Sequence, residues 1–299
     1  MNGAPVMRVA ADDRTPFALD LAQVKRAFER AARRYDEVAV LQARVRERLL
    51  ERLDLVKISP VAALDLGCGT AHAAEVLARR YRGARVIGLD LAESMLREAR
   101  RRHRFRRPVG LVCGDLRRLP LPDASLDLVF SNLALQWSDD LDSTLTELRR
   151  VLRPHGLLTF TTLGPDTLKE VRAAWAQVDD AEHVHAFTDM HDVGDALVRA
   201  GFAEPVLDVE MYALTYADSR AALRDLKALG AQNASATRAR GLTGRRRYAA
   251  FESAYERFRR DGTLPATYEV VYAQAWGPAA GAPARDGVAR IPVEGIGRR

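Results

Sequence analysis

Hydrophobic positions in the first fifty residues recur with the spacing of a helix. Val24, Phe28, Ala31, Ala32 and Tyr35 stand at i, i+4, i+7, i+8 and i+11, which places them on one face. A break near Asp36 separates them from a second predicted helix, Leu41 to Leu53. From residue 61 the period shortens. Apolar runs at Val61–Leu66, Arg85–Asp90, Val109–Asp115, Leu126–Ser131 and Leu157–Thr162 read as strands. Helical patterns at His72–Tyr81, Ser94–Arg102 and Leu141–Leu152 alternate with them. Arg153-Pro-His-Gly156 opposes continuation of the last of these helices. Such alternation predicts an α/β fold with a Rossmann-like, doubly wound and mostly parallel sheet.

The second half is less regular. Residues 165–178 around Trp175 and Asp189–Ala200, closed by Gly201, read as helices. Val206–Thr215 and Thr267–Trp276 read as strands, which brings the predicted sheet to seven. The expected organisation is a flexible N-terminus over 1–20, one domain over 21–276, and a tail over 277–299. The tail's Gly, Ala, Pro and Arg content predicts disorder. Within the domain, N-terminal helices span 21–53, the core starts at 61, and inserts fall at about 164–188 and 218–262, the second a helical lid.

Composition narrows the class. Hydrophobic residues are 47% and charged residues 29% of 299, as in ordinary globular proteins. No run of 18 apolar residues occurs, so no membrane association is expected. Met1–Arg14 lacks an apolar core of signal-peptide length, which points to a cytoplasmic location. Cys68 and Cys113 are too few for a zinc site, and no metal is expected. The net charge of +6 reads either as a solvated surface or as the mark of an acidic partner, nucleic acid or an acidic protein. No nucleic-acid motif accompanies it, so nucleic acid is not expected.

The candidate chemistry sits at strand ends. Leu64-Asp-Leu-Gly-Cys-Gly-Thr70 puts a glycine turn where the first strand meets its helix, letting backbone approach a ligand closely. Domains that bind NAD, FAD or S-adenosylmethionine all use such a turn. Asp65, Asp90 and Asp115 then place a carboxylate at three consecutive strand ends. Asp65 can receive or order a ligand ammonium, Asp90 can accept both hydroxyls of a ribose, and Asp115 can accept from an adenine amine. A carboxylate beside the turn disfavours a pyrophosphate, which a helix N-terminus would otherwise welcome.

With these residues the sequence resembles class I S-adenosylmethionine-dependent methyltransferases. The resemblance implies a cofactor site of Asp65, Gly67, Cys68, Gly69, Asp90, Leu91, Asp115, Leu116 and Asn132. Ala71 replaces the usual third glycine, the smallest change, and a slight backbone shift is expected to accommodate it. Longer segments are more specific: Phe28-Glu-Arg-Ala-Ala-Arg-Arg-Tyr-Asp36, Ser131-Asn-Leu-Ala-Leu-Gln-Trp137, Thr162-Leu-Gly-Pro-Asp-Thr-Leu168, Phe187–Asp195 and Leu226-Lys-Ala-Leu-Gly-Ala231. Over about 24–276 they resemble the malonyl-[acyl-carrier protein] O-methyltransferase family of biotin synthesis. That family implies a malonyl thioester on an acidic acyl carrier protein, methylated at its free carboxylate.

A carboxylate is already a nucleophile at neutral pH, so no general base is expected. Substrate positioning is assigned to Tyr35, Trp137, Arg245 and Arg246, arginine being suited to a carboxylate by its bidentate fork. From 220 to 262 eleven cations face four anions, which makes the insert a candidate docking surface as well as a lid. His72 and His155 read as structural. His185 or His191 is expected in an acyl pocket. Two other readings remain. Complex I assembly factors share the Ser131–Trp137 pattern, and that resemblance implies arginine hydroxylation of a partner protein. A methyltransferase of a small molecule such as a quinone precursor would carry an apolar insert.

Overall fold

The computed structural model of the chain describes residues 18–102, 109–231, 233–236, 238, 241 and 243–279. Most of the two expected termini lies outside the described residues. Three short helices come first: α1 Leu21–Ala31, α2 Tyr35–Val38 and α3 Val40–Arg52. The core follows as β1 Ala62–Leu66, α4 His72–Arg80, β2 Arg85–Asp90, α5 Glu93–Arg102, β3 Val109–Cys113, β4 Leu126–Asn132, α6 Leu141–Val151 and β5 Leu152–Leu163. The remainder is α7 Lys169–Trp175, α8 Met190–Arg199, β6 Ala203–Tyr216, α9 Ser219–Ala228, α10 Arg245–Glu256 and β7 Leu264–Trp276.

The seven strands form one sheet in the order β3-β2-β1-β4-β5-β7-β6. The first five run parallel, and β7 enters antiparallel between β5 and β6. Central strands are apolar on both faces because helices cover both. Leu128 and Phe130 of β4 pack with α3, α4, α7 and α10, whereas Val129 packs with α6 and α8. β6 lies at the edge, and its half-buried and exposed positions alternate accordingly, with one break at Val209 and Glu210. Helices α1, α6, α8 and α9 each start at an aspartate, Asp20, Asp140, Asp189 and Asp218, whose carboxylate accepts from a backbone N–H two or three residues on. Such caps are worth about 1 kcal/mol each.

One strand boundary differs widely from expectation. β5 begins at Leu152, straight after α6, and continues through Arg153-Pro-His-Gly156. A register shift lets Leu126 pair with Leu152 and Leu128 with Leu157, with His155 at φ 58°. The segments expected to be loose are also tied down where described. Ala236 N donates to Ala18 O and Asp20 N to Ala234 O, joining the start of the described chain to the second insert. Gly277 exchanges backbone bonds with His155 and Gly156.

Candidate active site

The glycine turn leaves β1 in a run of left-handed residues: Gly67 at φ 66°, Gly69 at φ 53° and Ala71 at φ 63°. Gly67 is held to glycine by space as well. A Cβ there would stand 2.3 Å from Ala134 Cβ, in the loop after β4. Ala71 takes the left-handed conformation without any escape of its methyl, being fully buried before α4. That conformation costs an alanine about 1–2 kcal/mol.

Asp90 ends β2 with one carboxylate oxygen on this turn and the other on the loop that follows β2. One accepts from Gly69 N at 2.8 Å, the other from Ala92 N at 2.8 Å. Burial pushes its carboxyl up to about 6, although both amide bonds oppose the shift. Asp115 accepts from Arg117 through side chain and backbone, which holds its carboxyl below the usual range. Asn132 spends its amide on the protein: Nδ2 donates to Gln42 O at 3.0 Å, and Oδ1 accepts from Thr161 at 3.1 Å. Of the predicted cofactor residues, Gly67, Gly69, Asp90, Leu91, Asp115, Leu116 and Asn132 line one cavity at the carboxyl edge of the sheet.

Asp65 and Cys68 do not line it; they lie beneath the turn. Asp65 accepts from Ala74 N at 2.8 Å, anchoring the start of α4, and burial pushes its carboxyl up to about 7. Cys68 is buried, and its N–H donates to Leu89 O, continuing the pairing of β1 and β2 into the turn. The N-terminal helices close over the site. Asp36 accepts from Thr70 Oγ1 at 2.7 Å, meets His72 Nε2 at 3.0 Å, and pairs with Arg102. The adjacent Tyr35 ring thereby stands over Gly69, where a Cβ would lie 3.9 Å from Tyr35 Cε1.

A second cavity opens on the other side of Tyr35. Phe28, Tyr35, Leu133 and Trp137 line both cavities and form the wall between them. Phe28 packs edge-on against Trp137, with centroids 5.4 Å apart. Beyond the wall the lining is mainly apolar, from Leu41, Leu163, Val171, Trp175 and Leu226, with Gln42, Gln136, His183, His185 and Tyr268 among its polar members. His183 stacks on Trp175 at 3.8 Å and meets Asp179 Oδ1 at 2.8 Å. Asp179 also accepts from Arg247, whose pairing holds its carboxyl down at about 2.

Tyr35 and Trp137 stand between the two cavities. Arg245 and Arg246 do not reach either cavity. Helix α10 turns Phe251, Ala254 and Tyr255 inward, which leaves both arginines exposed at its start. The cation that lines the second cavity is Lys227 of α9, among the insert's cations but not singled out from sequence. Its signal was present, since Leu223, Leu226 and Lys227 share one helical face. His185 lines the cavity, whereas His191 is exposed and pairs with Asp189. No group of three metal-ligating side chains occurs among the described residues. Nor is any described helix long and apolar enough to cross a membrane.

Residues 64–160 match the family described as methyltransferase domain. The chain is 54% identical over 281 residues to malonyl-[acyl-carrier protein] O-methyltransferase from Methylovorus sp. (strain MP688), covering 92% of this chain and 95% of that protein. This chain belongs to the malonyl-[acyl-carrier protein] O-methyltransferase family. A relative of the same name from Laribacter hongkongensis (strain HLHK9) is 55% identical, covering 88% of this chain and 92% of that one. The fold has solved counterparts, among them a putative methyltransferase from Bacillus halodurans C-125. It has a TM-score of 0.55 at 19% identity, covering 78% of this chain and 99% of that one. Membership of the family makes this chain a methyltransferase whose methyl donor is S-adenosylmethionine. The first cavity fits that donor: two glycines clear the backbone approach and a carboxylate stands at the end of β2.

Proposed function

We propose that the chain methylates the free carboxylate of a malonyl group carried on an acyl carrier protein, in the pimelate-forming branch of biotin synthesis. The observation that carries this reading is the shared wall. A cofactor cavity with Asp90 on its rim meets a mainly apolar second cavity across Phe28, Tyr35, Leu133 and Trp137. Relatives more than half identical over most of their length bear the name of this activity.

When bound, S-adenosylmethionine supplies a methyl carbon whose bond to sulfur breaks as a carboxylate oxygen bonds to it, the electron pair staying on sulfur. The protein's part is positional. Asp90 and the glycine turn hold the nucleoside, and Asp115 and Leu116 border the far end of the same cavity. Tyr35 and Trp137 exclude water where the cavities meet, and Leu41, Leu163 and Val171 seat the acyl chain. Holding reactants in near-attack geometry lowers such a barrier by several kcal/mol without proton transfer, about 7 or more in the best-oriented cases. The exposed Arg220, Arg224, Arg245 and Arg246 offer an acidic carrier protein a basic surface on α9 and α10.

The test is incubation of the purified chain with S-adenosylmethionine and malonyl-acyl carrier protein, with intact-protein mass spectrometry of the carrier. Gain of one methyl on the malonyl carrier, and none on the free or acetylated carrier, is expected. Methylation of all three, or of none, would overturn the reading.

A further inference from the structure

The second cavity collects buried polar atoms that have no partner. Gln42 Oε1, Gln136 Oε1 and His185 Nε2 belong to side chains lining it and have no hydrogen bond, and Tyr268 Oη, on the same lining, has only the Tyr216 hydroxyl beside it. A sealed, unpaired polar atom costs about 1–3 kcal/mol, so folded proteins rarely keep one without a use. Such atoms in one cavity mark a place where polar groups of a ligand complete the bonding: the two amide oxygens can only accept, whereas the His185 ring N–H can donate.

His185 stands out among them. It is 6% exposed, and its ring is fixed between Phe187, with centroids 4.6 Å apart, and Trp137 at 5.3 Å. Trp137 belongs to the wall shared with the cofactor cavity, so His185 sits next to where a methyl group crosses. Burial holds its imidazole neutral, down at about 4. Tyr268, 5% exposed on β7 and beside the Tyr216 hydroxyl, supplies a second neutral donor from the sheet.

Resting on the reading above, we propose that His185 Nε2–H and the Tyr268 hydroxyl donate hydrogen bonds to the malonyl carboxylate and fix one of its oxygens for attack. The chemistry favours neutral donors over a cation. A carboxylate loses its charge as it is methylated, so a fixed positive charge stabilises the substrate more than the transition state. A neutral donor orients the same group with less of that penalty. Lys227, exposed at the cavity, is left to attract the acid rather than to hold it at the reacting position.

Two single variants test the assignment, His185→Phe and Tyr268→Phe, each keeping a ring in place of a ring. A hydrogen bond to a charged group is worth about 1.5–3 kcal/mol, so each variant should lose about 10- to 150-fold in kcat/KM for the malonyl thioester. Affinity for S-adenosylmethionine should stay within twofold of wild type. Binding of the methyl-ester thioester should weaken less than binding of the free acid. Wild-type protein gives a readout independent of any variant. With ¹⁵N-labelled histidine, the His185 Nε2 signal should move on adding malonyl thioester and not on adding acetyl thioester. Folded variants that turn over malonyl thioester within twofold of wild type would overturn the proposal, as would an unmoved Nε2 signal under saturating malonyl thioester. Failure of the wild-type protein to methylate malonyl thioester would instead reject the function on which it rests.

Discussion

Replacing Gly67 with alanine brings two fixed carbons into the same space. The new Cβ would stand 2.3 Å from Ala134 Cβ, and neither atom can rotate away because the backbone sets both. Relief requires the turn or the loop after β4 to move by more than an ångström. Gly67 also sits at φ 66°, which costs an alanine about 1–2 kcal/mol before any contact is counted. Overpacking adds about 1–3 kcal/mol, so Gly67→Ala should lose about 2–5 kcal/mol of stability. Ala134→Gly alone removes a methyl from a 7% exposed residue and should cost about 1 kcal/mol. In the double variant the nearest remaining atom is Ala134 Cα at 3.7 Å, an ordinary contact. The double variant should therefore recover the clash and keep the φ penalty. Urea denaturation of the four proteins measures the coupling directly, with about 1–3 kcal/mol in favour of the pair expected. Affinity for S-adenosylmethionine should follow the same order. Additivity within about 0.5 kcal/mol would refute the claim that Ala134 dictates glycine at position 67.

Other outcomes follow from the same geometry. Asp90→Ala should weaken S-adenosylmethionine about tenfold or more, because the ribose loses its acceptor and Gly69 N its partner, at about 1–3 kcal/mol; calorimetric titration at wild-type affinity would contradict it. Asp65 titrates at about 7 in the fold against an ordinary 3.8, so the stability linked to its protonated form is present at low pH and lost as pH rises through about 7. Between about pH 8 and pH 5.5 the ligand-free wild type should gain about 2 kcal/mol relative to Asp65→Asn, and parallel urea-stability curves for the two would count against it. Reversing Arg245 and Arg246 to glutamate should raise KM for the carrier-bound substrate and spare a small malonyl thioester. The difference should shrink as salt rises above about 0.1 M, where screening acts within about 10 Å; equal losses on both substrates would place these arginines in the fold or the pocket.

Much of the sheet was legible because its strands are short apolar runs punctuated by glycine, proline and aspartate. β2 spans the expected residues, and β1, β3 and β4 differ by one or two at an end. β5 was read five residues short at its start and one at its end. Arg153-Pro-His-Gly156 carries every local sign of a loop, and only pairing with β4 across a register shift, and with Gly277, makes it strand. Local sequence contains no trace of that contact. The cofactor turn was legible for a related reason: its requirement for left-handed backbone is written as glycine. What sequence could not separate was the two sides of the turn. Asp65 and Asp90 look alike at strand ends, yet Asp65 points down at Ala74 N while Asp90 faces the cavity. His185 sits in a segment without helix or strand, where no period indicates direction.

Charge was the least legible feature, because counting arginines says nothing of where they point. The insert's surplus suggested a guanidinium clamp on the substrate acid. Helix α10 instead spends its inward positions on Phe251, Ala254 and Tyr255, and its first arginines face solvent. That division is physically coherent. Long-range attraction to an acidic partner needs exposed charge, and works through encounter rate without touching the reaction. Methyl transfer to a carboxylate destroys charge, so the cavity where it happens gains from neutral donors and loses from cations. On the proposed function, a basic exterior and a neutral interior are two answers to one substrate, an acid carried on an acidic protein. On the proposals above, the exposed arginines suit the first role, and His185 and Tyr268, on the lining of the second cavity, suit the second.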